Sequence, residues 1–384
     1  MEKLQVYLLK ETLGIVPEKW GVKEYATFHY SDVMKSLYLK DFPNAWEQED
    51  LKNKLSTIGA NDYFNKWTGD NFLYVEDTEL NFLLNYVKPS LAEGSTIAGK
   101  MTGIPLFGGN HQLLFYNKKY VSDEPKTMDE LIVTADEVKK QFNLDYGFVL
   151  PTGACYFILP FLYGFGAPLW ADKGEPIPFD ALVKTIELLR VLIYDKKSLP
   201  IKWEQAESIK CFTEEKAAYC IGGDWNIREF DEATNHNLGI CEIPALDRCC
   251  RSTANASYLF LSRYLEPELY SNVKEMCEIF FSIDVQTEIM KNLYRMPAIK
   301  DYDMNAVEIS DLLRSSYSVY ESAYILPAKK EVTHMYHVLA DMLEPYVIAH
   351  DSPEDIARKV MLHLEDVESY YKNNLLKKLR GVVL

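Results

Sequence analysis

The segment over residues 212–225 constrains the fold of this chain more than any other part. It reads as the end of a helix, a short apolar strand over residues 217–221, a Gly-Gly turn and then a large aromatic side chain. Two glycines permit a tight turn and let a ligand come close to the backbone. Trp225 is therefore expected to face outward beyond the end of the strand. A core tryptophan after an ordinary turn fits these residues equally well.

Strands and helices alternate along the chain. Thr127 and Glu130 form a capping box ahead of an apolar helical pattern that ends at residue 142. Ser352 followed by Pro353 is typical of a helix start. Apolar spacing predicts a further helix over residues 178–194. Strands are predicted at residues 4–9, 112–116, 147–150, 218–221 and 258–261. This alternation favours an α/β fold, and 384 residues are too many for one core, so two domains are expected.

Charge and hydropathy exclude two classes of protein. The formal net charge is −16, which repels a phosphate backbone, so no nucleic-acid partner is expected. The most apolar run, residues 155–170, is interrupted by Pro160, Gly164, Gly166 and Pro168. It is too short and too broken to span a bilayer, so no membrane insertion is expected.

The seven cysteines point to free thiols in a reducing compartment. The first residues lack the apolar centre of a secretory leader, so the sequence as it stands predicts a cytoplasmic protein, or an extracytoplasmic one if a leader was removed. The adjacent Cys249 and Cys250 leave a strained bridge as an alternative. There is no CxxC pair for zinc, and the helical pair His334 and His337 lacks a third ligand. No metal and no cofactor are expected.

Several segments resemble, in order, the family 1 extracellular solute-binding proteins, the group that includes maltodextrin-binding protein. They span about residues 99 to 360 and are Gly99–Pro105 with the following residues 113–118, residues 125–131, residues 156–166, residues 212–225, Gln286 with Met296-Pro297, and residues 352–357. The first 98 residues match less well.

The resemblance implies the type II periplasmic-binding-protein-like fold, with two α/β lobes, a hinge and a ligand cleft between the lobes. One lobe is predicted to comprise residues 1–116 and 258–310, and the other residues 117–257 and 311–384. The crossings are predicted near residues 115–118, 255–260 and 308–316. Such a protein binds a small polar ligand, a sugar or a flat heterocycle, by closing about the hinge.

The resemblance also implies a set of ligand-binding residues. It combines aromatic faces, which stack on sugar rings or heterocycles, with carboxylates that accept hydrogen bonds from hydroxyls or amines. The set comprises Glu11, Tyr74, Asp77, Asn110, Tyr156, Trp225 and Tyr336, and Cys155 and Asp224 are further candidates. A monomer is implied, with an ABC transporter permease as a partner if the protein is exported.

Two departures from the family pattern count against maltodextrin itself. The predicted loop over residues 107–112 lacks the acidic residue of maltodextrin binders, and Ala154 replaces another acid. The enzyme thiaminase I shares the fold and leaves a second hypothesis open, with Cys155 as the nucleophile and Asp224 as the acid. Asn110 stands at the apparent nucleophile position of that enzyme, where an amide cannot attack carbon. A cytosolic protein that reuses the fold, or an acidic platform for a protein partner, remains a further alternative.

Overall fold

A computed structural model of the chain describes residues 4–8, 26–30, 54–59, 72–168, 177–196, 199, 204–329, 331–332, 334–340 and 351–365. The first three ranges are described by their backbone alone. The chain divides into two compact units. The first unit comprises Met1–His111 and Thr253–Lys330, and the second comprises Gln112–Ser252 and Glu331–Leu384.

The first unit is built on a mixed sheet. Its strands are β1 (Leu4–Leu8), β2 (Ala26–Tyr30), β3 (Lys54–Gly59), β4 (Thr96–Ile97), β5 (Lys100–Met101), β6 (Gly103–Gly109), β11 (Thr253–Leu261), β12 (Met296–Pro297) and β13 (Tyr324–Ile325). In the main sheet the order is β12-β6-β11-β3-β1-β2, and β13 pairs with β11. The strands β1, β2 and β3 are parallel, whereas β11 runs antiparallel to both β3 and β6. The pair β4–β5 forms a separate ribbon.

Helices cover both faces of this sheet. They are α1 (Pro89–Glu93), α7 (Tyr270–Phe280), α8 (Ile283–Leu293) and α9 (Asp311–Ser322). Alternate residues of a strand point to opposite faces, and β11 shows the consequence. Leu259 and Leu261 pack with α7 and α8 in one apolar cluster, whereas Tyr258 and Phe260 pack with Tyr320 of α9 in another.

The second unit has a four-stranded sheet with the order β10-β7-β9-β8. Its strands are β7 (Gln112–Asn117), β8 (Tyr146–Val149), β9 (Ala217–Gly223) and β10 (Leu238–Cys241), and its helices are α2 (Met128–Phe142), α3 (Leu159–Gly164), α4 (Phe179–Arg190), α5 (Gln205–Thr213), α6 (Ile227–Ala233) and α10 (Pro353–Glu365). The buried rings of Phe115, Phe212 and Phe230 meet at centroid distances of 4.6 and 4.9 Å. They pack the sheet against α5 and α6.

The helices and strands predicted from the sequence are present. Some of them begin or end at residues other than those predicted. The capping box of Thr127 and Glu130 is formed, and Ser352 accepts a hydrogen bond from the Asp355 amide. The predicted helix over residues 178–194 ends its α-helical part at Arg190 and continues as a π-helix, Val191–Asp195. The strand predicted over residues 258–261 begins earlier, at Thr253, because its first two residues pair with β13 and the residues from Asn255 onward pair with β6.

The predicted loop over residues 107–112 is mostly strand. Gly108 and Gly109 belong to β6, whose backbone pairs with β11 and β12. A Cβ atom built on Gly108 would lie 2.0 Å from the hydroxyl oxygen of Tyr320, so only glycine leaves room for that ring. The comparison with the family pattern implied a loop here, whereas strands that are distant in sequence hold these glycines in β6.

The division into units differs from the predicted lobes at residues 112–116, 253–257 and 311–330. The last difference is the largest: residues 311–384 are predicted in the second lobe, whereas the first unit extends to Lys330. Leu313 and Tyr320 of α9 explain the difference, because both side chains are buried in the apolar clusters of the first unit. The chain passes between the units at His111–Gln112, Ser252–Thr253 and Lys330–Glu331, whereas the crossings are predicted near residues 115–118, 255–260 and 308–316.

Candidate functional site

The end of β9 presents Trp225 on a short turn of 3-10 helix, Asp224–Asn226. Every residue of β9 is buried, whereas Trp225 is half-buried. A Cβ atom on Gly223 would lie 2.3 to 2.4 Å from the indole ring carbons, so the ring rests directly on this glycine. The amide of Gly223 donates to the side-chain oxygen of Asn226 at 3.2 Å. The predicted strand is present, but it is longer than predicted: Gly222 and Gly223 belong to it, and the turn begins only at Asp224.

Three aromatic rings meet beside this turn. The ring centroids of Tyr156 and Trp225 are 6.1 Å apart with an interplanar angle of 35°. Phe157 meets the same indole edge-on at 6.3 Å and meets Tyr156 at 5.1 Å. Phe157 is buried, but Tyr156 and Trp225 are half-buried. Phe157 therefore supports two rings that keep part of their surface accessible.

Cys155 connects this aromatic set to the helical residues 334–340. Its thiol donates to the main-chain oxygen of Tyr336 at a sulfur–oxygen distance of 3.7 Å. Cys155 is 8% exposed and Tyr336 is half-buried. The second unit thus brings together four predicted residues, namely Cys155, Tyr156, Trp225 and Tyr336.

Asp224 occupies a different environment from its neighbour Trp225. Its side chain is fully buried at the end of β9. The Cys220 thiol is also buried, inside β9, and burial raises the pKa of that thiol well above its ordinary value. A raised pKa disfavours the thiolate, which is the reactive form.

In the first unit, Tyr74 and Asp77 lie together around a lysine. The Lys100 ammonium contacts both carboxylate oxygens of Asp77 at 2.6 and 2.7 Å. The same nitrogen lies 5.5 Å from the centroid of the Tyr74 ring. Glu76 accepts from the Met101 amide at 2.9 Å through both of its oxygens, which holds this turn against β5.

Asn110 follows β6 in a left-handed backbone conformation, with φ of 51°. Its side-chain oxygen accepts a hydrogen bond from Nη1 of Arg295 at 3.4 Å. Non-glycine residues adopt this conformation rarely, and asparagine is among those that tolerate it best. No local sequence pattern indicates the contact with Arg295, which is distant along the chain.

Glu11, a predicted ligand-binding residue, lies outside the described residues. The two histidines considered for metal binding are described. Nε2 of the buried His334 lies 2.8 Å from the main-chain oxygen of His363, whereas His337 is exposed. Within the described part of the chain, no group of three or more His, Cys, Asp or Glu side chains is arranged to hold a metal ion.

The seven cysteines all fall within the described ranges, and each is a free thiol. Cys249 is exposed and Cys250 is buried, so the alternative of a vicinal bridge is not observed. None of the described helices is both long enough and apolar enough to cross a lipid bilayer.

Comparison with solved structures identifies the fold. The chain resembles the maltose/maltodextrin-binding domain MalE from Bdellovibrio bacteriovorus bound to maltotriose, with a TM-score of 0.75 and 20% identity over 95% of this chain and 99% of that one. It also resembles the GacH receptor of Streptomyces glaucescens, which was solved unliganded and with acarbose, with a TM-score of 0.80 and 18% identity over 95% and 98% of the two chains. The fold is therefore the α/β, type II periplasmic-binding-protein fold.

Comparison of sequences identifies the family. The profile of a family described as bacterial extracellular solute-binding protein matches residues 30–240, more than half of the chain. A maltotriose-binding protein of Pyrococcus abyssi is 28% identical over 193 residues, which cover 49% of this chain and 41% of that protein. The match thus spans less than half the length of that relative. The chain belongs to the bacterial extracellular solute-binding protein family.

Proposed function

We propose that this protein binds a small carbohydrate and delivers it as a solute-binding protein. The observation that supports this proposal is the pair of half-buried rings, Tyr156 and Trp225. The two rings meet next to the end of the buried strand β9. The faces of a sugar ring carry C–H groups that stack well on aromatic rings, whose polar edges can also donate hydrogen bonds. A half-buried ring pair held beside a buried strand suits such stacking, because little order has to be gained on binding.

We also propose that polar side chains of the first unit bind the sugar. Asp77 is exposed and can accept hydrogen bonds from sugar hydroxyls, and Tyr74 offers a half-buried ring next to it. Asn110 adds an amide, and we retain Glu11 and Tyr336 as candidates implied by the family resemblance. The segment over residues 107–112 lacks the acidic residue of maltodextrin binders and Ala154 replaces another, so we propose a sugar ligand without restricting it to maltodextrin.

The relatives support a sugar rather than another solute. The named relatives were described with maltotriose or acarbose, which are built of linked sugar-like rings. By family membership we further propose that the protein works as a monomer, closes about its hinge on the ligand, and passes the ligand to an ABC transporter permease.

Titration calorimetry with maltose, maltotriose and acarbose tests the proposal, with thiamine as a flat heterocycle for comparison. We expect one sugar to bind with 1:1 stoichiometry and to raise the melting temperature, since a ligand that binds only the folded state stabilises it. Small-angle scattering should show a smaller radius of gyration with the sugar bound. Release of the thiazole from thiamine, or binding of thiamine alone, would contradict sugar binding as the function.

A further inference from the structure

Gln112 is a buried side chain at the beginning of β7, next to the aromatic set. It is 0% exposed and pairs across the sheet with Gly223 in β9. Gly223 is the residue on which the indole of Trp225 rests. The position of the Trp225 ring therefore depends on the backbone pairing that Gln112 makes.

The side chain of Gln112 holds the other ring of the pair. Its Nε2 donates to the main-chain oxygen of Tyr156 at 2.8 Å. Tyr156 lies in a short 3-10 turn, Cys155–Phe157, whose cap carries no side-chain hydrogen bond. This contact connects the turn to the sheet through an atom of Tyr156 itself.

Ser252 fixes Gln112 in turn. The Ser252 hydroxyl donates to the main-chain oxygen of Gln112 at 2.6 Å, and Ser252 is 1% exposed. Buried hydrogen bonds of this kind are costly to break, because water cannot replace the lost partner. The backbone of Gln112 is thus fixed by its pairing with Gly223 and by the hydrogen bond from Ser252. Its side-chain amide extends to the main-chain oxygen of Tyr156.

We infer that Gln112 is a positioning residue for sugar binding, because it sets the placement of the Tyr156 ring relative to the Trp225 ring. This inference rests on the proposed function. Gln112 does not touch the sugar, since it has no exposed surface. It acts through the two rings, whose spacing decides whether both can contact one sugar.

The side-chain amide of Gln112 is suited to this position because it can donate a hydrogen bond as well as because of its length. Methionine has a similar length but cannot donate, so the Tyr156 oxygen would lose the hydrogen bond from Gln112. A glutamate carboxylate would place an acceptor against an acceptor, which is repulsive. A protonated glutamate, in contrast, has an O–H group that can donate.

The first test compares Gln112→Met with Gln286→Met, a matched control. Gln286 is equally buried but lies in the first unit, where it donates to the oxygens of Leu106 and Phe280. Maltotriose affinity is measured by calorimetry well below both melting temperatures. We expect Gln112→Met to weaken binding about tenfold, in line with one lost buried hydrogen bond. Gln286→Met should stay within about twofold of the wild-type affinity, although it lowers the melting temperature.

The second test uses Gln112→Glu and pH. Burial raises the pKa of such a carboxyl, so it gains its proton above the usual range as the pH falls. The ratio of variant to wild-type dissociation constants should therefore be large near pH 8 and decrease toward about pH 5. A ratio that is independent of pH overturns the inference, as does a Gln112→Met variant that binds like Gln286→Met.

A third measurement needs no ligand. Near-ultraviolet circular dichroism reports the coupling of Trp225 with Tyr156, and Ser252→Ala provides a gentler change if Gln112→Met does not fold. Both variants should alter the tryptophan bands, and neither should do so in a Trp225→Phe background. Unaltered bands overturn the inference. If the wild type binds no sugar while these bands change, the proposed function fails and the placement of the rings by Gln112 stands.

Discussion

Lys100 and Asp77 form a two-pronged ion pair in the first unit, with Nζ 2.6 and 2.7 Å from the two carboxylate oxygens. The hydrogen bond to Asp77 raises the pKa of Lys100, so the ammonium stays charged across the neutral range. Both side chains are about half exposed, at 45% and 52%. Exposed pairs of this kind contribute little to stability. The carboxylate of Asp77 is therefore oriented while it remains accessible to a ligand.

We expect Asp77→Asn to weaken sugar binding with little change in melting temperature. The amide keeps the shape but loses the charge, and hydrogen bonds to charged acceptors are stronger than those to neutral ones. A loss of about tenfold in affinity is expected by calorimetry. Asp247→Asn is the control, because Asp247 is also exposed and paired with a lysine, Lys184, but is not a candidate ligand. Equal affinities for the two variants would remove Asp77 from the site.

We expect Trp225→Ala to abolish the change in tryptophan fluorescence on sugar binding. It should also weaken binding by about 2 kcal/mol, or roughly thirtyfold, because the stacking surface is lost. Fluorescence titration and calorimetry measure the two effects. Tyr194→Ala removes another partly exposed ring of the second unit, 41% exposed, and should leave both unaltered. A normal fluorescence response in Trp225→Ala would place the reporting tryptophan elsewhere.

We expect Gln286→Met to destabilise the first unit. Gln286 donates to the oxygens of Leu106 and Phe280 and accepts from the Ala298 amide at 2.8 Å, so one side chain joins β6, α7 and the segment after β12. Loss of three buried hydrogen bonds should reduce the free energy of unfolding by about 3 kcal/mol. Urea denaturation measures this change.

Gln141→Met provides the matched comparison for this loss of stability, because Gln141 is exposed on α2. Its replacement should change the free energy of unfolding by no more than about 0.5 kcal/mol. If the two variants were equally stable, the three hydrogen bonds of Gln286 would contribute nothing.

We expect Cys250 to contribute to loss of stability at alkaline pH. Burial raises the pKa of its thiol from 9.0 to about 12. Between these values the unfolded chain has released the proton and the folded chain retains it. The free energy of unfolding therefore falls as the pH rises, by about 1.4 kcal/mol per pH unit for this group. Below pH 9 the contribution is fully present.

The measurement is urea denaturation at a series of pH values between about 8 and 11, where the thiol of the unfolded chain titrates. Cys250→Ala should have a shallower decrease than the wild type, whatever its stability at neutral pH. Cys249→Ala is the control, because the neighbouring Cys249 is exposed. Equal slopes in Cys250→Ala and the wild type would show that this thiol does not account for the alkaline effect.

Most of the local structure could be predicted from the residues. The capping box of Thr127 and Glu130, the start of α10 after Ser352 and the strand that ends before Trp225 were all identified. Each depends on hydrogen bonds or apolar periodicity within a few consecutive residues. Bounds were less accurate where a distant strand decides them, as for Gly108 and Gly109 in β6.

The candidate site was predictable only as a set of residue types. The motifs indicated Trp225 and Tyr156 as site residues. They did not predict that the two rings lie next to each other, with their centroids 6.1 Å apart. Lys100 lies in the segment Gly99–Pro105, which resembles the family, but the sequence assigned no function to this lysine. Only the structure shows that it pairs with Asp77.

By itself, the sequence determined the helices, the strands and the family resemblance, because these depend on short-range pattern. Only the tertiary structure decided that Gln112 bonds Tyr156, that Cys155 bonds Tyr336 and that Lys100 pairs with Asp77. Each of these contacts joins segments separated by other elements of the chain. Their geometry is set by how whole strands and helices pack, and no pattern of neighbouring residues encodes that packing.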